Sequence, residues 1–248
     1  MLSKSQVSFI KSLHQKKFRR QQGLFIVEGI KSVRDFITSG FGIHSIYYTA
    51  EHSGSLSKPD ANIKLFEVNN AEIDKISTLQ TPQGILAVVE LPKIEQFDPS
   101  VLKGKFTIVL DGIQDPGNLG TIIRTADWFG ISQIICSEDT ADAYNPKTVQ
   151  ASMGSLSRVK LSYLSLPEII KNLNLPVFGA FLDGKNIYDI SWGDEGLVIL
   201  GNEGQGISDE LRALVDKKVT IPRSGEAESL NVAISTAIFC SEITRSTR

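Results

Sequence analysis

The sequence has few of the residues that bind metals or form disulfides, with two cysteines and three histidines among 248 residues. Cys136 and Cys240 are far apart and lie in apolar stretches, so we expect buried free thiols in a reducing cytoplasm. The cysteines and histidines also lack the paired spacing of a structural zinc site. A fold held together by disulfides or a metal is therefore not expected.

A long hydrophobic run is also missing. No stretch of about 18 consecutive apolar residues occurs, which argues against a membrane span. The first twenty residues contain six Lys or Arg and no apolar segment, so we expect no secretory signal. With 41% hydrophobic and 22% charged residues, the composition is typical of a soluble globular protein of one large domain or two ordinary ones.

Charge is unevenly distributed along the chain, although the net charge is only −2. Residues 1–34 contain eight Lys or Arg and one acid, Glu28, whereas the rest of the chain is acidic. A basic arm of this kind suits contact with a polyanion such as RNA, but a solvated helix face would have the same composition. The candidates for RNA contact are Lys16, Lys17, Arg19 and Arg20, in a segment that resembles a polar turn.

Strand-like and helix-like segments alternate along the whole chain. In residues 1–92 this alternation predicts a small α/β domain. The segment from Pro92 to Gly104 has two prolines and no hydrophobic period, so we place a linker at residues 93–104. In residues 105–248, apolar strands such as Phe106–Leu110 alternate with helices, which predicts a mostly parallel, doubly wound sheet.

Three turns at strand-to-helix junctions carry the candidate chemistry, and the first is Asn118–Arg124. The pattern predicts a helix that begins at Asn118, with this residue as its cap. Helical side chains lean toward the N-terminus, so Arg124 should pass over Gly120 and reach the positive end of the helix. That arrangement suits a phosphate, and the alternative is an ordinary capped helix with a surface arginine.

The second turn is Leu200–Gly206, whose glycines do not match a nucleotide-binding loop. A phosphate loop would need lysine where this chain has Ile207, and the glycines at 201, 204 and 206 do not fit GxGxxG. We therefore reject nucleoside triphosphate and dinucleotide binding. The turn carries one carboxylate, Glu203, which alone fits a site residue or a solvated side chain equally well.

The third turn is a polar loop, Pro222–Glu228, between a strand ending at Ile221 and the last helix. We predict that this helix begins at Ser229 with Ser229 as its cap, and that Asn231 supplies an amide beside Leu230. Taken together, the turns offer no histidine base, activated cysteine or catalytic triad. The chemistry that fits is group transfer from a preactivated donor, where positioning matters more than a protein nucleophile.

The order and spacing of these turns closely resemble three motifs of the SpoU (TrmH-like) family of RNA ribose 2′-O-methyltransferases, in the SPOUT superfamily. The motifs are Asn118-x-Gly120-x-x-x-Arg124, Leu200-Gly-x-Glu203-x-x-Gly206 and Ile221-Pro-x-x-Gly225-x-x-x-Ser229-Leu-Asn-Val-Ala233. The stretch from Lys17 to Gly29 is similar to the RNA-binding domain of the family, a small α/β fold like that of a ribosomal protein. One departure is Arg223, where the family often has methionine.

The resemblance implies an α/β fold in which residues 105–248 form a trefoil-knotted SPOUT methyltransferase domain, and residues 1–92 a smaller RNA-binding domain. It implies a cytoplasmic homodimer that uses S-adenosyl-L-methionine, needs no metal and methylates a ribose 2′-hydroxyl in structured RNA, ribosomal more than transfer RNA. The implied cofactor contacts are Gly201, Ile221, Leu230 and Asn231.

The resemblance also implies roles for the polar residues. The family's usual proposal makes the Arg124 equivalent the base. Our preferred hypothesis is instead that Arg124 binds the phosphate beside the target ribose and stabilises the developing alkoxide, while Asn118 orients the ribose or Arg124. Glu203 would hold Arg124 or a cofactor group, while Ser229 and Asn231 would position the hydroxyl. The alternatives are a catalytically idle RNA-binding protein of the same fold and an unrelated α/β phosphate-binding enzyme.

Overall fold

The computed structural model describes residues 1–55, 63–93 and 96–247. The helices are α1 Lys4–Ser12, α2 Lys16–Gln22, α3 Ile30–Ile37, α4 Asn70–Ile76, α5 Pro116–Trp128, α6 Pro146–Ser152, α7 Leu166–Lys171, α8 Asp209–Arg212 and α9 Val232–Ser246. The strands are β1 Leu24–Glu28, β2 Ile43–Tyr48, β3 Lys64–Glu67, β4 Ile85–Glu90, β5 Phe106–Asp111, β6 Gln133–Cys136, β7 Lys160–Tyr163, β8 Val177–Asn186, β9 Gly196–Gly201 and β10 Lys217–Thr220.

The chain divides into two units that do not follow the order of the sequence strictly. Unit 1 comprises Met1–Glu95 together with Asp142–Arg158, and unit 2 comprises Gln96–Ala141 together with Val159–Arg248. The segment that contains α6 therefore packs with unit 1, although the sequence pattern placed it in the C-terminal domain. The proposed domain boundaries near residues 92 and 105 stay a prediction.

Unit 1 is built on a four-stranded sheet in the order β1-β4-β2-β3. Strand β4 is antiparallel to both β1 and β2, and β3 is parallel to β2. One face packs against α1 and α4, where Ile10, Leu13, Ile73 and Ile76 are buried. Capping boxes at Ser3 and Asn69 begin these two helices, which fixes their entry into the core.

Unit 2 is built on a six-stranded parallel sheet in the order β10-β8-β9-β5-β6-β7. The central strands β5 and β9 are rich in β-branched residues and are buried along nearly their whole length, as expected for strands covered on both faces. The predicted mostly parallel, doubly wound sheet is confirmed. Because the chain reverses its winding direction between β5 and β9, their carboxyl ends mark the place where such sheets bind ligands.

Strand β8 contains an interruption that matters for the site. The β8 residue that pairs with β10 shifts from Gly179 to Lys185 between the consecutive β10 residues Lys218 and Val219. Residues 180–184 therefore leave the ladder, and we call them the β8 bulge. The hydroxyl of Thr220 donates to the carbonyl of Leu182 at 3.1 Å and so anchors the β8 bulge to β10.

Several boundaries differ from the sequence prediction. The segment predicted as a polar turn at Lys16–Gln22 is helix α2, ended by Gly23 with a left-handed φ of 66°. Strand β7 carries no strong apolar period and was not predicted. Within the described part of the chain, no helix is long and apolar enough to cross a membrane.

Candidate cofactor and catalytic site

The first and second turns lie side by side because the strands that precede them are neighbours in register. Asp111 at the end of β5 pairs with Gly201 at the end of β9. The carboxylate of Asp111 accepts a hydrogen bond from the Ser208 amide at 2.7 Å, and Asn202 donates through its side chain to the Gly112 carbonyl at 2.7 Å. The two turns are thus joined by hydrogen bonds at both ends of the second turn.

Helix α5 begins earlier than predicted, and Asn118 is not its cap. The helix starts at Pro116, and the carboxylate of Asp115 accepts from the backbone amide of Asn118 at 2.8 Å. Asp at the N-cap followed by Pro at the first helical position is a stronger start signal than an internal Asn. The correction leaves the side chain of Asn118 available for contacts with the other turns.

A short hydrogen-bond network connects residues from all three turns. The Nδ2 of Asn118 donates to the Oε1 of Glu203 at 2.6 Å, and the Nδ2 of Asn231 donates to the Oδ1 of Asn118 at 3.0 Å. We call Glu203, Asn118 and Asn231 the amide relay. The motif residues that are more than 80 positions apart in sequence therefore meet at one place, as a composite site requires.

The start of the last helix also differs from the prediction, because Asn231 and not Ser229 caps it. Helix α9 begins at Val232, and the Oδ1 of Asn231 accepts from the backbone amides of Ala233 at 2.9 Å and Ile234 at 3.3 Å. Ser229 lies three positions before Val232, outside the helix, and the cap hydrogen bonds are made by Asn231. Ser229 instead lines the cavity described next.

A cavity of about 590 Å³ lies between the second turn, the third turn and the β8 bulge. Three predicted cofactor contacts line it, namely Gly201, Ile221 and Leu230, while the fourth, Asn231, belongs to the amide relay. The β8 bulge was missed as a wall of the site. Nothing in its residue spacing indicates this role, since the position of the β8 bulge depends on the register with β10.

The cavity has the properties of a small-molecule site. Its volume falls in the range of roughly 300–1,000 Å³ usual for ligand pockets, and Leu200, Ile221 and Phe239 supply apolar wall. A Cβ added to Gly201 would lie 2.2 Å from the carbonyl carbon of Gly206, so the second turn packs directly on that glycine. An adenosine-sized ligand with an apolar ring and polar edges fits this combination.

Arg124 stands apart from the amide relay. It is exposed on α5, and within the described ranges it makes neither a hydrogen bond nor an ion pair. Of the two expected partners of Glu203, Arg124 is not in contact with it, and contact with a cofactor group stays a prediction; Glu203 accepts from Asn118. The N–H donors of the Arg124 guanidinium are therefore available for a ligand.

In unit 1, three of the four predicted RNA contacts lie on the surface and one does not. Lys16, Lys17 and Arg20 are exposed on α2, whereas Arg19 is only 2% exposed. The guanidinium of Arg19 donates to the carbonyls of Leu13 and His14 and forms a 2.6 Å ion pair with Asp142. These contacts correct the RNA-binding assignment of Arg19, since its donors are engaged inside unit 1.

Both cysteines are buried and unpaired, as the sequence predicted. Burial raises the pKa of the Cys240 thiol to about 12 and also raises the pKa of Cys136, because a thiolate is poorly solvated in an apolar interior. Neither thiol supplies a nucleophile at neutral pH. Across residues 1–55, 63–93 and 96–247, no group of three or more His, Cys, Asp or Glu is placed to hold a metal ion.

Comparisons with known proteins show which family the chain belongs to. The SpoU rRNA Methylase family model matches residues 105–241, and the MRM3-like substrate binding domain model matches residues 4–87. The chain is 32% identical over 233 residues to the 23S rRNA (guanosine(2553)-2′-O)-methyltransferase RlmP of Bacillus subtilis, covering 92% of each protein.

Solved structures give the same result. A Porphyromonas gingivalis structure assigned to the TrmH family of RNA methyltransferases superimposes with a TM-score of 0.89 at 40% identity, covering 99% of each chain. An AdoMet-bound rRNA methyltransferase from Sinorhizobium meliloti superimposes with a TM-score of 0.87 at 31% identity, covering 99% of this chain and 97% of the other.

Fold, cavity and motif residues together define a methyltransferase that uses S-adenosylmethionine. The chain belongs to the SpoU rRNA Methylase family, whose model covers more than half of its residues. The family, the fold class, the enzyme class and the cofactor predicted from the three motifs are thereby confirmed.

Proposed function

We propose that this protein transfers a methyl group from S-adenosylmethionine to a ribose 2′-hydroxyl in ribosomal RNA. The observation that carries the proposal is the convergence of the cavity and the amide relay at the carboxyl ends of β5 and β9. The ribosomal substrate follows from relatives such as RlmP, named for 2′-O-methylation of 23S rRNA. A catalytically idle protein is disfavoured because Asn118, Arg124, Glu203 and Asn231 are all present.

Binding of the cofactor is the part of the reaction that the cavity explains. Gly201, Ile221 and Leu230, with the β8 bulge, would hold S-adenosylmethionine. When bound, this cofactor supplies an electrophilic methyl group, so the protein needs no nucleophile of its own. The apolar wall excludes water from the site and favours the transfer to the ribose oxygen.

The chain's own residues then act on the RNA. Arg124 binds the phosphate beside the target ribose and stabilises negative charge that develops on the 2′-oxygen. Its guanidinium offers several N–H donors and no acceptor, so it serves to bind and stabilise anionic oxygens and not to accept a proton. Asn118, together with Ser229 and Asn231, positions the hydroxyl in line with the methyl group.

Unit 1 is proposed to bind the RNA substrate. Its match to the MRM3-like substrate binding domain agrees with the exposed basic side chains of Lys16, Lys17 and Arg20 on α2. Contacts of these side chains with phosphates would release counterions, so RNA affinity should fall steeply as salt concentration rises.

A homodimer that acts in the cytoplasm completes the proposal. Helices α5 and α9 pack against each other in unit 2, and they carry large apolar side chains at the surface. Trp128 is 84% exposed and Ile234 is 52% exposed. Apolar side chains of this size on adjacent helices suit an isologous interface with a second copy. The trefoil knot is a further part of the proposal, carried over from the family.

The proposal is tested by following tritium from labelled S-adenosylmethionine into purified ribosomal and transfer RNA. We expect label in ribosomal RNA, recovered after hydrolysis as a 2′-O-methylated nucleoside. Calorimetry with the unlabelled cofactor provides the control, because an idle protein of the same fold would bind without transfer. Label found in transfer RNA alone, or on a base, would contradict the proposal.

A further inference from the structure

The backbone of helix α9 fixes the orientation of one side-chain amide. The amides of Ala233 and Ile234 are donors, and both donate to the same side-chain atom of Asn231. That atom must therefore be the carbonyl oxygen, because an NH₂ group accepts no hydrogen bond. The NH₂ group of Asn231 is consequently turned toward Asn118.

The fixed orientation continues through the next two residues. Because Asn231 presents a donor, the atom of Asn118 that faces it must be the carbonyl oxygen, at 3.0 Å. The NH₂ group of Asn118 then faces Glu203, whose carboxylate accepts at 2.6 Å. Each bond determines the polarity of the next, from the helix backbone to the carboxylate.

We propose that the amide relay is a directional positioning device that holds Asn118 in a single amide orientation, and this inference rests on the proposed function. In that orientation Asn118 keeps one N–H for a ligand oxygen, since an amide nitrogen carries two hydrogens and Glu203 takes one. A flipped Asn118 would present its carbonyl oxygen at the place of that donor. Asn231 and Glu203 are thus positioning residues that act through Asn118.

The amide relay also ties the cofactor cavity to α5. Glu203 belongs to the second turn and Asn231 caps α9 just after the third turn, and these two turns line the cavity. Repulsion anywhere in the amide relay should therefore separate the turns and weaken cofactor binding. Cofactor affinity and turnover therefore report on different features. Alignment of the turns determines cofactor affinity, whereas the orientation of the Asn118 amide determines turnover.

The decisive variant is Asn231→Asp, studied alone and combined with Glu203→Gln. Asp caps a helix as well as Asn does, so we expect the single variant to fold. Its carboxylate forces Asn118 to flip, which places the Asn118 oxygen against the Glu203 carboxylate. We expect about a tenfold loss of cofactor affinity, the size of one charge-assisted hydrogen bond replaced by repulsion, together with loss of turnover.

In the double variant, the side-chain amide introduced by Glu203→Gln can donate to the oxygen of the flipped Asn118. The hydrogen bonds that connect the turns through Asn118 are then restored. We expect cofactor affinity to recover to near the wild-type value, measured by calorimetry. Turnover should stay low, because the flipped Asn118 no longer offers its N–H to the ligand. Recovery of both quantities, or of neither, would overturn the proposal.

Two further comparisons complete the test. Asn174→Asp with Glu203→Gln has the same charge change outside the amide relay, at an exposed residue, and should match Glu203→Gln alone. Asn118→Asp should bind the cofactor more weakly, because its carboxylate lies beside that of Glu203. Combined with Glu203→Gln, it should regain cofactor affinity. These two variants provide a second test that does not depend on the folding of Asn231→Asp. A wild-type protein that binds cofactor but methylates no RNA contradicts the proposed function, while the affinity cycle still tests the amide relay.

Discussion

At the scale of single residues, close backbone approach decides which positions tolerate a side chain. Gly201 is the last residue of β9 and packs against the backbone of Gly206, at the end of the second turn. In this turn, Asn202 and Gly206 exchange backbone hydrogen bonds of 3.0 and 2.9 Å. Gly204 sits at the tip of the same turn, and a Cβ there would meet only the side-chain oxygen of Asn202 at 3.5 Å. The two glycines therefore form a matched pair.

We predict that Gly201→Ala disrupts cofactor binding while Gly204→Ala does not. The new methyl at 201 would lie 2.2 Å from the Gly206 carbonyl carbon, so the turn must move, at a cost of about 1–3 kcal/mol in unfolding free energy. Calorimetry with S-adenosylmethionine and thermal unfolding of both variants measure the effect. Equal cofactor affinities in the two variants would show that cofactor binding does not need the close contact between Gly201 and the Gly206 backbone.

The motif residues were predictable from the sequence, but their bonding partners were not. The resemblance of the three motifs to a known family indicated Asn118, Glu203 and Asn231 as site residues, and they are in contact. The two helix caps were assigned to the wrong residues, because several Asx and Ser side chains near a helix start compete for the same backbone amides. Only coordinates decide which of them reaches those amides.

At the scale of elements, helix α2 shows how tertiary contacts override a weak local pattern. Its sequence, KKFRRQQ, has almost no apolar period and predicts a polar turn. The helix forms with Arg19 directed inward, where it meets the carbonyls that end α1 and the carboxylate of Asp142. The acid comes from a segment more than 120 residues away, so no local signal could have indicated it.

We predict that Arg19→Ala and Arg20→Ala have opposite effects. Removal of Arg19 leaves the Asp142 carboxylate without its ion-pair partner and two backbone carbonyls without their donor, which should lower the unfolding free energy by about 3–5 kcal/mol. Removal of exposed Arg20 should change stability by less than about 0.5 kcal/mol but weaken RNA binding. Urea unfolding and filter binding with ribosomal RNA distinguish the two. If Arg19→Ala kept its stability and lost RNA affinity, Arg19 would return to the RNA-binding set.

At the scale of the whole chain, the alternation of strands and helices was sufficient to predict two α/β parts and a parallel sheet. The alternation could not predict the strand order β10-β8-β9-β5-β6-β7, because the pairing of strands that are distant in sequence has no signature in the local residue pattern. For the same reason, it could not place Asp142–Arg158 in unit 1. The β8 bulge, which completes the cavity, depends on that register as well.

The exposed apolar surface of unit 2 gives a prediction about assembly. If α5 and α9 form a twofold interface, the wild-type protein should have twice the 27.2 kDa chain mass by light scattering. Trp128→Ser combined with Ile234→Ser removes the two large apolar side chains from those helices and should shift the mass toward the monomer. The rate of methyl transfer should fall together with the fraction of dimer if the site is completed near the interface.

Leu65→Ser is the matched control for that experiment, because Leu65 is also exposed, at 43%, but lies on β3 in unit 1. This variant should retain the mass of the dimer. A wild-type protein that stays monomeric at every concentration would contradict the proposed interface, because burial of Trp128 and Ile234 would then not hold two copies together. A dimer that survives the double substitution would place the interface on another face of the molecule, because Trp128 and Ile234 would no longer be available to bury.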